Sequence, residues 1–328
     1  MAKAVVFDEI GGPEVLKIVE VELGEPGPDE VLVRVEALGL NRAEAMFRGG
    51  TYFYQPELPA SRLGYEATGV VEAVGAAVTG FAVGDLVSTA ALGHLSTHGV
   101  YGDRVLVPEA NLIHRPGDVD AVTGAAVWLS YTTAYGALVD KGGMRPGDTV
   151  LITAASSSVG VAAIQIARHL GAIPVAATRT AAKREQLLKL GAAHVIVTDE
   201  EDLLVRVGEI TGGRGAELVF DPVAGPGLAT VAQAVAPGGL LIVYGWLDPR
   251  PTPLPLNWGL RVLGYSNLDI TGDPAARRRA WHFVDAGLRA GTLAPVVDRT
   301  FDLSEIVEAH RYLEANGQVG KVVVTVSH

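Results

Sequence analysis

The stretch Ile152 to Gly171, ITAASSSVGVAAIQIARHLG, puts an apolar run ahead of three serines, a glycine and a helical repeat. Where a strand feeds a helix, unpaired backbone N–H groups and the positive end of the helix dipole face one point. That point suits a pyrophosphate. Such turns use glycines for unusual backbone angles and for close approach to the anion. Here Ala155 and Ser157 stand at two of the glycine positions, and only Gly160 remains, where the helix must lie close to the strand. Ala155 and Ser157 are small enough to allow approach. The hydroxyls of Ser156, Ser157 and Ser158 can donate to phosphate oxygens, and Val159 and Gly160 complete the turn. The alternative is an ordinary strand–turn–helix that binds nothing.

The end of the next strand narrows the choice. A cofactor with a free ribose 2′-OH calls for an acid there. The sequence instead reads ATRTAAKR, with Thr178, Arg179 and Lys183. Two cations four residues apart suit a 2′-phosphate that a carboxylate would repel, so NADPH is expected over NADH. The alternative is a pair of solvated cations in a first helical turn, where they oppose the dipole slightly.

These residues need a scaffold. Residues 1–122 hold short β-rich runs broken by Gly and Pro, which predicts a small, strongly bent barrel. Residues 123–265 alternate buried strands with helical periods: TVLITAA, AIPVAAT, HVIV, AELVFD, LLIVYG and RVLGYS are strands, and the stretches between them, GLATVAQAVAPGG included, are helices. That rhythm predicts a doubly wound parallel sheet of the Rossmann kind. In residues 266–328 a long helix, a second helix capped by Asp302 and Glu305, and a lone strand, GKVVVTV, follow. The lone strand is expected to return to the first domain's sheet.

Composition removes other classes. The net charge of −11 disfavours nucleic acid and anionic membranes as partners, and Arg277, Arg278 and Arg279 read as a solvated helix face. The absence of cysteine excludes disulfides, thiolate catalysis and cysteine-bound zinc. His94 and His98 are four apart but lie in a glycine-bounded, loop-like stretch with no third ligand. No basic segment precedes an apolar core at the start, and no apolar run is long enough to cross a bilayer, so the expected location is the cytoplasm.

With these residues in place, the chain resembles the zinc-independent branch of the medium-chain dehydrogenases/reductases, the NADPH:quinone oxidoreductase (zeta-crystallin-like) family. Gly64 to Val87 is similar to the signature GxExxGxVxxVGxxVxxxxxGD, and WLSYTTAYGAL, AASSSVG, GGLLIVYG and VGKVVV match further along. The resemblance implies a GroES-like β-barrel catalytic domain, a Rossmann domain, NADPH, a small-molecule acceptor and a homodimer. It places Asn41 and Tyr65 where the zinc branch has a cysteine and a histidine ligand, so no metal is expected. It puts Asn41 and Thr133 beside the nicotinamide, Tyr52 (or Tyr54) at a proton-donating position, and Tyr244 and Gly245 on the cofactor side. Thr198 and Trp246 depart from the usual Tyr and Asn, and a bulky Trp246 would narrow the substrate cleft.

Without a Lewis acid, alcohol oxidation is slow, whereas hydride addition to a quinone or an activated C=C needs only a hydrogen-bond donor. The expected activity is therefore reduction of quinones or activated C=C or carbonyl acceptors by NADPH. The alternatives are a 2-enoyl-thioester reductase and a non-catalytic NADPH-binding protein with a structural or sensing role.

Overall fold

The computed structural model describes residues 1–90, 93–257 and 259–328. The chain forms two compact units, Met1–Leu129 with Val296–His328, and Ser130–Pro295. The divisions at 129/130 and 295/296 lie downstream of the sequence-based boundaries at 122/123 and 265/266. The long helix expected after residue 265 thus stays with the second unit, and the helix capped by Asp302 and Glu305 goes with the first.

The first unit opens with β1 (Ala2–Phe7), β2 (Lys17–Val21), β3 (Glu30–Gly39), α1 (Arg42–Arg48), β4 (Ser61–Arg62), β5 (Glu66–Val74), β6 (Leu86–Thr89), α2 (Leu95–His98), β7 (Arg104–Pro108), β8 (Leu112–His114) and α3 (Ala121–Gly124). Strand β3 alternates buried and half-exposed residues before turning fully buried at Leu38 and Gly39. That alternation gives a sheet with one face on a core. The core gathers Phe7, Val33, Phe47, Leu63, Val105 and Val324. The stretch around His94, expected as a loop, contains the short helix α2 with His94 at its N-cap.

Helix α4 (Trp128–Tyr135) begins at the division, and the second unit then takes β9 (Thr149–Ile152), α5 (Ser158–His169), β10 (Ile173–Thr178), α6 (Arg184–Lys189), β11 (His194–Val197), α7 (Leu203–Thr211), β12 (Ala216–Asp221), α8 (Leu228–Gln233), β13 (Val235–Val243), β14 (Arg261–Gly264), α9 (Leu268–Thr271) and α10 (Pro274–Arg289). Its strands pair in parallel in the order β11-β10-β9-β12-β13-β14. This is the expected doubly wound sheet. One helix is shorter than its sequence pattern: α8 stops at Gln233, and Val235 to Gly239 join β13 instead. Pairing of Ala216 with Val235 captures that segment for the sheet, and a register shift follows.

The chain then returns to the first unit with β15 (Val297–Asp302), α11 (Ile306–Glu314) and β16 (Lys321–Thr325). Asp302 and Glu305 form the expected capping box. Strand β16 lies between β15 and β3, antiparallel to β3, so the last strand does rejoin the first domain's sheet.

Candidate functional site

In the second unit, Ser157 is the N-cap of α5, and its Oγ accepts from Gly160 N at 3.0 Å. This is a helix-capping role that the sequence reading had given wholly to phosphate binding. The hydroxyl hydrogen of Ser157 is not spent by the cap. The geometry of a helix start leaves the N–H groups of Ser158 and Val159 without an intrahelical partner. Gly160 must be glycine: a Cβ there would come within 2.6 Å of Ala155 O. Of the two residues that stand in for glycine, Ala155 is fully buried and Ser157 caps the helix, while the left-handed backbone angle of the turn falls on Ala154, at φ 45°. A cradle of this size, at the start of a twelve-residue helix, fits a pyrophosphate.

Thr178 ends β10 and is buried, and Arg179 after it is exposed. Lys183 follows in a 3₁₀ turn and reaches back to Ser156, its Nζ 3.0 Å from Oγ. The sequence-spaced serine and lysine are therefore in contact, and their charge and hydroxyl fit a phosphate ester. Tyr244 and Gly245 follow β13. Tyr244 stacks on Phe220 with centroids 3.9 Å apart, and its buried hydroxyl faces Ser157 without a hydrogen bond of normal geometry. Gly245 lies tight on Pro222, where a Cβ would meet the carbonyl oxygen at 2.9 Å. Asp221, missed in the sequence, ends β12. Its carboxylate accepts from Thr153 Oγ1 at 2.5 Å and from the N–H groups of Val223 and Ala224, and burial pushes its pKa up. Thr133 is buried inside α4.

In the first unit, Asn41 caps α1 and forms a capping box with Glu44. Its Nδ2 donates to Gly39 O at 3.0 Å and to Glu44 Oε1 at 3.2 Å. Its Oδ1 accepts from Lys321 Nζ at 2.6 Å, and the same ammonium lies 2.5 Å from Glu66 Oε2. Glu44, Glu66 and Lys321 are all buried. Glu44 also accepts from Tyr65 N at 2.9 Å and from Tyr101 OH at 2.9 Å, and burial raises its pKa. Sequence reasoning missed Glu44, Glu66 and Lys321. The readable signal was a single charge inside each apolar strand run, YEATGVV and GKVVVTV.

The tyrosines converge. Tyr65 OH lies 2.9 Å from Tyr54 OH and donates to Tyr52 OH at 3.1 Å. Rings of Phe47, Tyr52, Phe53, Tyr54 and His94 pack against one another, with Tyr52 and Phe53 centroids 4.3 Å apart. Burial pushes the Tyr52 phenol up to about 12, only partly offset by its bond from Tyr65. An aromatic wall with phenol hydroxyls suits a flat, electron-poor acceptor. Trp246, which the sequence reading set at the cleft, is partly exposed in the loop after β13.

The donors at the former zinc positions do not fit a zinc ion. Asn41 presents an oxygen already bound to an ammonium, and Tyr65 presents a phenol tied to two others. Among the described residues, no group of three or more His, Asp or Glu side chains is placed to hold a metal ion.

The family models named alcohol dehydrogenase GroES-like domain and zinc-binding dehydrogenase match residues 27–117 and 158–284. The chain is 34% identical to the 2-haloacrylate reductase of a Burkholderia species, covering 99% of both proteins. The chain belongs to the quinone oxidoreductase group of the medium-chain dehydrogenases/reductases. A Pseudomonas aeruginosa quinone oxidoreductase is also 34% identical, over 99% of each chain. The crystal structure of Escherichia coli quinone oxidoreductase complexed with NADPH matches at a TM-score of 0.92 and 28% identity, over 99% of this chain and 100% of that one. Like the other members of this group, the protein is an oxidoreductase with a GroES-like and a Rossmann domain. Among the described residues, no helix is long and apolar enough to cross a membrane.

Proposed function

We propose that the protein is an NADPH-dependent reductase of quinones or of activated C=C or carbonyl acceptors and works without zinc. The observation that carries this reading is the polar cluster at Asn41 and Tyr65, where hydrogen-bonded phenols and a lysine-bound amide stand in place of metal ligands. The Ser156–Gly160 turn holds the pyrophosphate, and Thr178, Arg179 and Lys183 hold the 2′-phosphate. The turn's tight backbone and the contact of Lys183 with Ser156 support this. Tyr244 and Gly245 complete the cofactor side, and Asn41 and Thr133 orient the nicotinamide amide.

Bound NADPH supplies a hydride from C4 of its nicotinamide to the electron-poor carbon of the acceptor, becoming NADP⁺. The chain's own groups then manage the proton. Tyr52 donates its phenolic proton to the oxygen or carbon that gains negative charge, and the phenols of Tyr65 and Tyr54 lie within hydrogen-bond reach to share the load. Its pKa of about 12 keeps Tyr52 protonated, and so able to donate, through the neutral range. The name 2-haloacrylate reductase of a relative supports an activated C=C as acceptor. The same observation on Tyr52 favours the second reading, a 2-enoyl-thioester reductase. The family's homodimer and a cytoplasmic location are proposed with it, to be read from light scattering and cell fractionation.

The test is loss of the reduced-nicotinamide absorbance against quinones, enals, 2-haloacrylates and enoyl-CoA esters in parallel. It is run with NADPH and NADH, before and after chelation. Zinc-dependent turnover, or binding of NADPH with no turnover of any acceptor, overturns the proposal.

A further inference from the structure

We propose that Tyr65 is a positioning residue for proton delivery. Its hydroxyl holds the Tyr52 phenol and makes Tyr52 the one member of a three-tyrosine chain that gives up a proton. This rests on the reading of Tyr52 as proton donor above and deepens it.

The three phenols form a chain with one direction. Tyr65 OH donates to Tyr52 OH at 3.1 Å. A phenol has a single hydrogen, so the 2.9 Å contact between Tyr54 and Tyr65 uses the hydrogen of Tyr54. The Tyr54 oxygen in turn accepts from Leu95 N at 3.4 Å. The order runs from Leu95 N–H to Tyr54, from Tyr54 to Tyr65 and from Tyr65 to Tyr52. Two of the three phenol hydrogens are used inside the chain, and that of Tyr52 points out of it. Hydrogen bonds in series polarise one another, which strengthens the last phenol as a donor.

Tyr65 is the fixed member. It is buried, its N–H donates to Glu44 Oε1 at 2.9 Å, and its carbonyl accepts from Thr89 Oγ1 at 3.0 Å. Tyr52 and Tyr54 lie outside helix and strand, in the segment between α1 and β4. Their rings are steered by packing: Tyr52 meets Tyr54 edge-on with centroids 5.2 Å apart, and Phe47 edge-on at 6.4 Å. Ring packing does not set the direction of an O–H bond. The bond from Tyr65 does, because it excludes orientations that point the Tyr52 hydrogen back at Tyr65.

The acidities divide the same way. Burial and the two adjacent phenols hold Tyr65 far above the usual phenol range, so it keeps its proton. Burial also raises Tyr52, and the bond from Tyr65 works against that rise. Coupled groups pushed apart in this manner mark which one is the acid. As the Tyr52 O–H bond breaks and a C–H bond forms on the reduced acceptor, the Tyr65 hydroxyl stabilises the phenolate left behind. Water then returns a proton to Tyr52, and Tyr65 passes none on.

The test is a double-mutant cycle on Tyr52→Phe and Tyr65→Phe. kcat and KM are measured with NADPH and whichever enal, 2-haloacrylate or enoyl-CoA ester the wild type reduces fastest, alongside thermal unfolding. Tyr65→Phe should lower kcat about tenfold with KM little changed, the loss of about one hydrogen bond to a group gaining charge. In the Tyr52→Phe background the same substitution should change the remaining kcat by less than about twofold, because the oxygen it acts on is gone. Tyr54→Phe, one bond further from the reacting oxygen, should cost less than Tyr65→Phe; a larger cost overturns the order of the chain. Equal losses from Tyr65→Phe in both backgrounds, or no loss in the first, overturn the role of Tyr65 and leave the donor reading of Tyr52 intact. A Tyr52→Phe variant that keeps the full kcat overturns the donor reading and this inference with it. Should Tyr65→Phe fail to fold, Tyr54→Phe takes its place in the cycle, and additivity with Tyr52→Phe is the overturning result.

Discussion

Replacing Lys183 with Met should remove most of the preference for a 2′-phosphorylated cofactor. The substitution keeps an aliphatic side chain of similar length and deletes one positive charge. Lys183 is half-buried and held beside Ser156 at 3.0 Å, so its charge is shielded from water more than that of the exposed Arg179. A hydrogen bond to a charged group contributes about 1.5–3 kcal/mol, which is about 10- to 150-fold in kcat/KM. The half-buried site puts Lys183→Met in the upper half of that range. Arg179→Ala, at an exposed and screened position, should cost about 1 kcal/mol, about fivefold. NADH has no 2′-phosphate, so its kcat/KM should stay within about twofold in both variants on the same grounds. The assay is initial rates with both cofactors over a series of salt concentrations. Added salt should weaken the Arg179 contribution more than the Lys183 contribution. Equal losses with NADPH and NADH, or a larger effect from Arg179 than from Lys183, would refute the reasoning.

Gly160→Ala forces a methyl group against the backbone of Ala155 and should lower both the melting temperature and NADPH affinity, with overpacking costing about 1–3 kcal/mol; unchanged thermal unfolding would show that the turn relaxes freely. Tyr52→Phe should cut kcat about 10²-fold or more for C=C acceptors, where a proton must be delivered, and much less for quinones; equal effects on both would assign Tyr52 to shape alone. His310 is buried against the Arg48 guanidinium, with Tyr101 beside it and the Glu314 carboxylate, which Arg48 also binds, 4.0 Å from its Nδ1, and burial holds its pKa down at about 3. The unfolded chain takes up that proton first, so this contribution to stability is present above about pH 6.5 and is lost as pH falls toward 3. Glu44, whose pKa is raised, acts in the opposite sense, so the measurement is the difference between wild type and His310→Gln in denaturant unfolding at pH 7 and pH 5. A difference of about 1–2 kcal/mol is expected over that interval, and none would contradict the buried neutral imidazole.

What the sequence made legible was local. The β–α rhythm, Gly160 at the helix start and the Asp302–Glu305 cap depend on neighbours a few residues apart, and each stands where its spacing implied. The pairing of Ser156 with Lys183 was also within reach, because consecutive βα turns of a parallel sheet open on the same edge. The Asn41–Lys321–Glu66 cluster was not. Its members lie 280 and 255 positions apart, and only the return of β16 to β3 brings them together. The charges in those strands could have been flagged, since an isolated charge in a buried strand needs a partner. Which partner it finds is a matter of topology. The end of α8 was misjudged for a similar reason: sheet pairing outweighed helical periodicity at Val235.

The placement of β16 has a consequence for biosynthesis. The sheet of the first unit has a gap between β15 and β3 until Lys321–Thr325 is made, although most of its strands are translated before the second unit begins. A nascent protein can therefore complete its second unit while the first still waits for its closing strand. Any truncation upstream of Lys321 should leave an open sheet edge prone to aggregation, with the Glu66 carboxylate stranded in an apolar interior.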